Sequence, residues 1–336
     1  MRCHSMKQSL NAEHYISKDF FELERNKIFK NNWILLGLTQ EFPKSSFLER
    51  SVAGISLVLG KLKNHNFRCY TNICRHRGGP LLWKNETQRG SGLSCHYHGW
   101  SYSADNGILF KAPNFGPIDC TQFALEPWTT KILKNALIFV NHNPTESQAK
   151  MLDIFDHALI DQHIPSLIHA QKRHLLKCNW KIYVENYLEG LHIPYLHPKL
   201  KSEIDMNTYH VKVHERYISH HVGAGDDAMS AGFWAYFWPN LALNFYKDGL
   251  SVERIVPIDE GTTAIEYSYL FNETTSNDKQ DQQMSLSTEV TEEDIAIVEA
   301  IQKNIMSGSY TPGPLSQRHE QGIGAFQNWV CRALAS

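Results

Sequence analysis

The chain has 336 residues, 42% of them hydrophobic and 20% charged, with a formal net charge of −2. That length accommodates two domains or one elaborated one. The near-neutral balance excludes the basic footprint of a nucleic-acid or anionic-membrane binder. No apolar run approaches a membrane span; Ile55–Gly60 and Ala136–Val140 read as buried strands.

Residues 1–10 lack a charged-then-apolar signal pattern, so a cytoplasmic protein is expected. Ser17 can cap a helix through about Lys30, with Phe20, Phe21 and Ile28 on one side. From Trp33 to about Asn141, short apolar runs alternate with turn residues, the pattern of a small antiparallel β domain. Two mixed thiolate–imidazole pairs lie inside it, Cys74-x-His76 and Cys95-x-x-His98. This is the ligand set of a Rieske [2Fe–2S] centre, in which two cysteines hold one iron and two histidines the other. Zinc is the main alternative, but zinc fingers usually pair cysteine with cysteine and histidine with histidine. The flanks, Arg75, Arg77, Gly78 and Gly79 on one side and Tyr97, Gly99 and Trp100 on the other, favour the cluster. His96 sits between Cys95 and His98, and the spacing leaves it as a loop side chain. The other five cysteines (Cys3, Cys69, Cys120, Cys178 and Cys331) are scattered and odd in number, and are expected to be reduced.

Residues from Pro144 to about Ile168 read as helix. Across Asn179–His197, Trp180, Val184, Leu188 and Leu191 recur with helical spacing, giving an amphipathic helix with a buried stripe. Glu189 and His192, three apart, share an adjacent face. Pro194 ends the helix at Ile193, so His197 can swing back towards His192. The result is a two-histidine site with a carboxylate beside it; histidines at this spacing are also commonly unrelated surface residues. Strands are expected from about His210 to Phe271, with loops at Gly223–Gly232 and Asn272–Gln283, the second mobile in composition. Phe233, Trp234, Tyr236, Phe237 and Trp238 read as strand core more readily than as pocket lining.

Helices from about Thr291 and about Gln317 close the chain. Asp294 falls in register with Val298, Ile301 and Ile305, so it projects from an apolar stripe. A buried carboxylate without a partner is strongly unfavourable. A bound cation would resolve that, making Asp294 the third member of a 2-His-1-carboxylate iron site. Thr291–Asp294 fits a helix capping box equally well.

With both sites in view, the chain resembles the α (terminal oxygenase) subunit of Rieske non-haem iron oxygenases over nearly its whole length. The resemblance is carried by LNAEHYISKDFFELERNKIFKNNW, CRHRGGPL, CHYHGWSY, NWKIYVENYLEGLHIPYLHP, FWPNLALNFYKDGLSVERIVP and EEDIAIVEAIQ, in the family's order. It implies that His192, His197 and Asp294 carry the mononuclear iron, and that Glu189 bridges the two metal centres by hydrogen bonding a histidine ligand on each side. Glutamate at that position occurs among relatives acting on quaternary ammonium substrates. The sequence departs from many relatives at His96, often proline, and at Gln327, often histidine.

The implied fold is α+β. A Rieske-type antiparallel β domain (33–145) is inserted into a helix-grip, START-like catalytic domain (1–32 and 146–336) whose antiparallel sheet is covered by helices. The implied assembly is a head-to-tail homotrimer, in which Glu189 joins the iron of one chain to His98 of the next. The implied activity is O₂-dependent hydroxylation of a small organic molecule, whether monooxygenation, demethylation or ring hydroxylation. No strand–GxGxxG–helix unit is present, so electrons must come from another protein, and a flavin reductase using NAD(P)H, with or without a ferredoxin, is expected. The competing readings are a simple Rieske electron carrier, a structural zinc protein, and a ring cis-dihydroxylating dioxygenase.

Overall fold

The alternation of short apolar runs and turn residues between Trp33 and Asn141 resolves into two antiparallel sheets. The structure, a computed structural model, describes residues 10–84, 86–222 and 232–335. The chain divides into two compact units, Phe29–Leu152 and the remainder, Met1–Ile28 with Asp153–Ser336.

In Phe29–Leu152 the seven-stranded sheet runs in the order Ile34–Leu38, Leu137–Asn141, Pro127–Leu133, Phe67–Thr71, Ile55–Lys61, Ser46–Val52, Thr87–Arg89. A three-stranded sheet, Gly92–Ser94, Ser101–Ser103 and Leu109–Lys111, carries the second Cys/His pair at its first turn. The Ser46–Val52/Ile55–Lys61 hairpin closes through Ala53 (φ 50) and Gly54 (φ 74), the left-handed pair that matches strand twist. Gly60 lets the hairpin pack: a Cβ there would lie 2.0 Å from Phe47 Cδ1. Phe47, Tyr70, Leu81, Leu93, Trp100 and Tyr102 form the core, and Cys74 and Cys95 are buried in it.

The other unit is built on a second seven-stranded antiparallel sheet. Its order is Ile168–Leu176, Thr262–Phe271, Gly249–Asp259, Leu241–Tyr246, Gly232–Phe237, Tyr217–Val222, His210–Val213. Three helices pack on it or on one another: Trp180–Tyr187, Asn277–Met306 and Gln321–Ala335. Ser17 does cap the first long helix, its Oγ accepting from Phe20 N at 3.4 Å. That helix, Lys18–Glu24, passes into a wide turn over Arg25–Phe29.

Four sequence expectations need correction. The helix expected to reach Ile168 ends at Ala158, and Ile168–Leu176 is a strand whose residues alternate between half-buried and exposed. As an edge strand rich in Lys, Arg and His it lacks the apolar alternation that marks strands in sequence. The helix expected to run from Asn179 to Ile193 stops at Tyr187, and Pro194 sits in the first turn of a new short helix, Ile193–Leu196. The expected mobile loop at Asn272–Gln283 instead leads into a helix running continuously from Asn277 to Met306. Thr291 therefore lies mid-helix, which removes the capping-box reading. Over its first half the buried residues are Gln280, Gln283 and Thr291, so that inward face is polar and gives no hydrophobic signature, while Val298 and Ile305 are buried further on. The last helix starts at Gln321, not near Gln317. The loop expected at Gly223–Gly232 lies, apart from Gly232, outside the described residues.

Candidate metal centres and substrate cavity

The two Cys/His loops close in the same way. Cys74 N donates to Gly79 O (2.8 Å) and Gly78 N to Cys74 O (3.0 Å); Cys95 N donates to Trp100 O (2.8 Å) and Gly99 N to Cys95 O (3.0 Å). Gly78 (φ 74) and Gly99 (φ 71) make the matching left-handed turns, which a side chain would strain. The loops bring the His76 and His98 rings to 4.6 Å between centroids, with His76 stacked on Trp100. The Nδ1 atoms of His76 and His98 are both buried without a hydrogen-bond partner. Buried ring nitrogens are normally satisfied, so this pair fits two absent bonds to a metal. With the buried thiols of Cys74 and Cys95, the donor set is S₂N₂, which suits an iron–sulfur cluster or zinc. His96 points outward and pairs with Glu86 at 3.0 Å.

The second centre is assembled from three elements. His192 and His197 flank the one-turn helix Ile193–Leu196, and Asp294 comes from the long helix. One donor atom from each of the three lies within 4.8 Å of the others. His197 Nε2 is 3.1 Å from Asp294 Oδ1, and His192 Nε2 is 3.9 Å from the same oxygen. The outer nitrogens are held: His192 Nδ1 by Glu189 Oε1 at 2.5 Å and His197 Nδ1 by Glu293 Oε2 at 2.7 Å. A carboxylate on Nδ1–H sets the tautomer that presents the Nε2 lone pair inward, the usual support for a metal-binding imidazole. Asn186 Nδ2 donates to Asp294 Oδ1 at 2.7 Å. The other Glu189 oxygen accepts from the amides of Leu191 and His192, pinning the turn that follows the helix.

Glu293 and Asn186 were not legible as site residues. Asn186 stands three before Glu189, and Glu293 was absorbed by the capping-box pattern.

His192, His197 and Asp294 also line a cavity with about 750 Å³ of empty space, part of it open to solvent. Successive strands provide its floor through His220, Trp234, Asn244, Glu253 and Tyr267. Tyr183 and Tyr187 face it from one helix; Gln283, Ser287, Thr291 and Asp294 recur at helical spacing from the other. Of the aromatic run beginning at Phe233, only Trp234 lines the cavity, while Tyr236, Phe237 and Trp238 are buried in the core. Glu253 is 4% exposed, and burial pushes its carboxyl up to about 7, opposed by hydrogen bonds from Tyr183 and Asn244. Burial pushes His220 down to about 3, so it is neutral.

Fold and donor sets together define a Rieske-type oxygenase. The Rieske [2Fe-2S] domain model matches residues 32–123, and the model for the catalytic domain of the ring hydroxylating alpha subunit matches 166–232 and 215–336. The chain belongs to this ring-hydroxylating α-subunit family. It is an oxidoreductase that carries a [2Fe–2S] cluster and a mononuclear iron, and it uses O₂ and electrons from a partner protein to hydroxylate a small organic substrate. The family match decides between cluster and zinc, and the catalytic domain removes the simple electron-carrier reading.

Among relatives, the carnitine monooxygenase oxygenase subunit of Escherichia coli (strain K12) is 26% identical over 359 residues, covering 97% of this chain and 94% of the relative. Choline monooxygenase of Beta vulgaris is 24% identical over 343 residues, covering 95% and 76%. The quaternary ammonium Rieske monooxygenase CntA in complex with L-carnitine superposes with a TM-score of 0.84 at 23% identity, covering 98% of this chain and 96% of that one. Naphthalene 1,2-dioxygenase from Rhodococcus gives 0.79 at 14% identity, covering 98% and 95%. These likenesses establish the α+β fold, a Rieske domain with a catalytic domain of antiparallel sheet and covering helices. Among the described residues, no helix is long and apolar enough to cross a membrane.

Proposed function

We propose that this chain is the oxygenase component of a monooxygenase or demethylase acting on a small quaternary ammonium compound. Cys74, His76, Cys95 and His98 hold the cluster; His192, His197 and Asp294 hold the iron. We take 33–145 as the Rieske domain, with 1–32 and 146–336 as the catalytic domain. The observation that carries the substrate reading is the cavity beside His192, His197 and Asp294, walled by tyrosines and Trp234. Aromatic faces bind organic ammonium ions by cation–π attraction. The relatives named for choline and carnitine point to the same substrate class.

When bound, the iron supplies O₂ activation and the cluster supplies electrons. The protein's own residues orient and exclude. Glu189 and Glu293 fix the two imidazoles, Asn186 fixes the Asp294 carboxylate, and the tyrosine-rich walls hold the substrate against the open side. In a cytoplasmic homotrimer, Glu189 would also hydrogen-bond His98 of a neighbouring subunit. The solved CntA work, which reports inter-subunit electron transfer for that protein, supports this arrangement. The electron donor is a flavin reductase using NAD(P)H, with or without a ferredoxin.

A substrate panel with a surrogate reductase tests the reading. Choline, betaines and carnitine are compared with aromatic acids, following product mass. Turnover of aromatic acids alone would overturn it. Iron analysis should return three irons per chain, against two for a cluster-only protein. Glu189→Gln should keep both metals and slow single-turnover oxidation of the cluster; an unchanged rate would remove the bridging role.

A further inference from the structure

Glu253 stands out because, among the described residues, no lysine or arginine lines its cavity. It lies on Gly249–Asp259, with Oε2 accepting from Tyr183 Oη at 2.9 Å and Oε1 from Asn244 Nδ2 at 2.5 Å. The neighbouring Arg254 projects to the opposite face of the sheet and pairs with Glu266. Burial holds the Glu253 carboxyl at about 7, so near neutral pH it is partly ionised, and in that form a divalent iron facing Asp294, Glu189 and Glu293 leaves its charge unbalanced. A buried charge without a partner is costly, and two neutral donors compensate it only in part.

The rest of the wall has a complementary need. Trp234 Nε1 is buried without an acceptor. His220, directly across the strand pair from Trp234, has Nδ1 against Tyr209 Oη at 2.6 Å, while its Nε2 is buried without a partner. With the tyrosine hydroxyl donating to Nδ1 of the neutral ring, the ring proton sits on Nε2 and makes a second unused donor. The cavity thus presents an uncompensated carboxylate among tyrosine rings and, elsewhere on its wall, two N–H groups lacking an acceptor.

We infer that Glu253 sets substrate specificity, selecting a compact organic monocation with an acceptor oxygen over a zwitterion that carries a carboxylate. This rests on the quaternary ammonium reading of the same cavity. The ammonium sits against Glu253 within the tyrosine walls, and the oxygen accepts from Trp234 and His220. A substrate carboxylate would enter a cavity lined by Glu189, Glu253 and Asp294 with, among the described residues, no lysine or arginine to meet it.

The test is anaerobic calorimetric titration of the holoenzyme with four probes: choline, its neutral isostere 3,3-dimethyl-1-butanol, glycine betaine and L-carnitine. Choline should bind roughly tenfold or more tightly than each of the others, the scale of a buried charge pair. Glu253→Gln should lose about that factor for choline and leave the isostere unchanged. Retention of the choline preference in the variant would overturn the role of Glu253. If the variant does not fold, the wild-type panel decides by itself: equal binding of choline and the isostere, or tighter binding of either zwitterion, refutes the inference. Tightest binding and turnover of carnitine or betaine would refute it while leaving the proposed function standing. Failure of every ammonium compound to bind would remove both.

Discussion

Glu293 Oε2 accepts from His197 Nδ1 at 2.7 Å, so the other nitrogen of that ring, Nε2, faces Asp294 Oδ1 at 3.1 Å. Glu293 and Asp294 are adjacent in the chain yet act on opposite edges of one imidazole. His197 is 1% exposed, so its ring orientation is set by these two carboxylates and not by solvent.

Glu293→Gln should therefore weaken iron binding by roughly 10- to 100-fold, the usual cost of losing a carboxylate behind a metal-bound histidine. The [2Fe–2S] content should stay unchanged. Competition for Fe(II) against a chelator measures the first, and absorbance of the cluster the second. Glu292→Gln, at an exposed position one residue earlier, serves as control.

Tyr102 Oη accepts from Arg75 N at 3.0 Å and lies 3.2 Å from Cys74 Sγ. With the backbone donor occupying its lone pair, the hydroxyl proton is directed to the sulfur. Hydrogen bonds to cluster sulfurs stabilise the reduced, more negative state. Tyr102→Phe should lower the reduction potential by roughly 40 mV, about 1 kcal/mol in a one-electron couple. A spectroelectrochemical titration reads this directly; no shift would show that the hydroxyl points elsewhere.

Glu185 accepts from Tyr15 Oη at 2.9 Å and Gln327 Nε2 at 2.9 Å, and burial pushes its carboxyl up to about 7. A folded-state value above the unfolded one means the native state binds the proton more tightly. Its contribution to stability is present below the unfolded value, near 4.5, and is lost as pH rises through about 7. Glu185→Gln should gain melting temperature relative to wild type as pH increases across that window. A constant difference between the two proteins would contradict the raised value.

Lys181 and Glu24 form an ion pair in which both side chains are fully buried, and Trp180 Nε1 donates to the second Glu24 oxygen at 2.8 Å. Removing Glu24 leaves Lys181 without its hydrogen-bonded counter-ion, with only the weaker influence of Glu185. Glu24→Gln should destabilise the protein by roughly 3 kcal/mol, seen as a lower midpoint in thermal or urea unfolding. Glu22→Gln, at an exposed position on the same helix, should have little effect.

What could be read from sequence were the features whose determinants are local. Cys74, His76, Cys95 and His98 each lie within two loops whose glycines declare the turns, so residue types and spacing carry the whole pattern. His192 and His197 are likewise five positions apart, with Pro194 between them, although the intervening residues form a new helical turn and not the tail of the preceding helix. Spacing alone makes Glu189 and Asp294 candidates, and the resemblance to Rieske oxygenases assigns their roles.

What only the tertiary structure decided were the faces that are buried yet polar. Gln283, Ser287 and Thr291 turn inward to line a cavity, so the first half of the Asn277–Met306 helix has the composition of a loop. The Ile168–Leu176 edge strand has the composition of a surface helix for a related reason: one side has no neighbouring strand and little apolar cover. Glu253 sits on a buried strand, and its significance comes from Tyr183 on a separate helix and from Asn244 on the adjacent strand, which meet it only in the folded sheet. Hydrophobic periodicity reports burial against an apolar core. It is silent where burial is against a cavity meant for a polar or charged ligand, and there the sheet register and the helix packing decide.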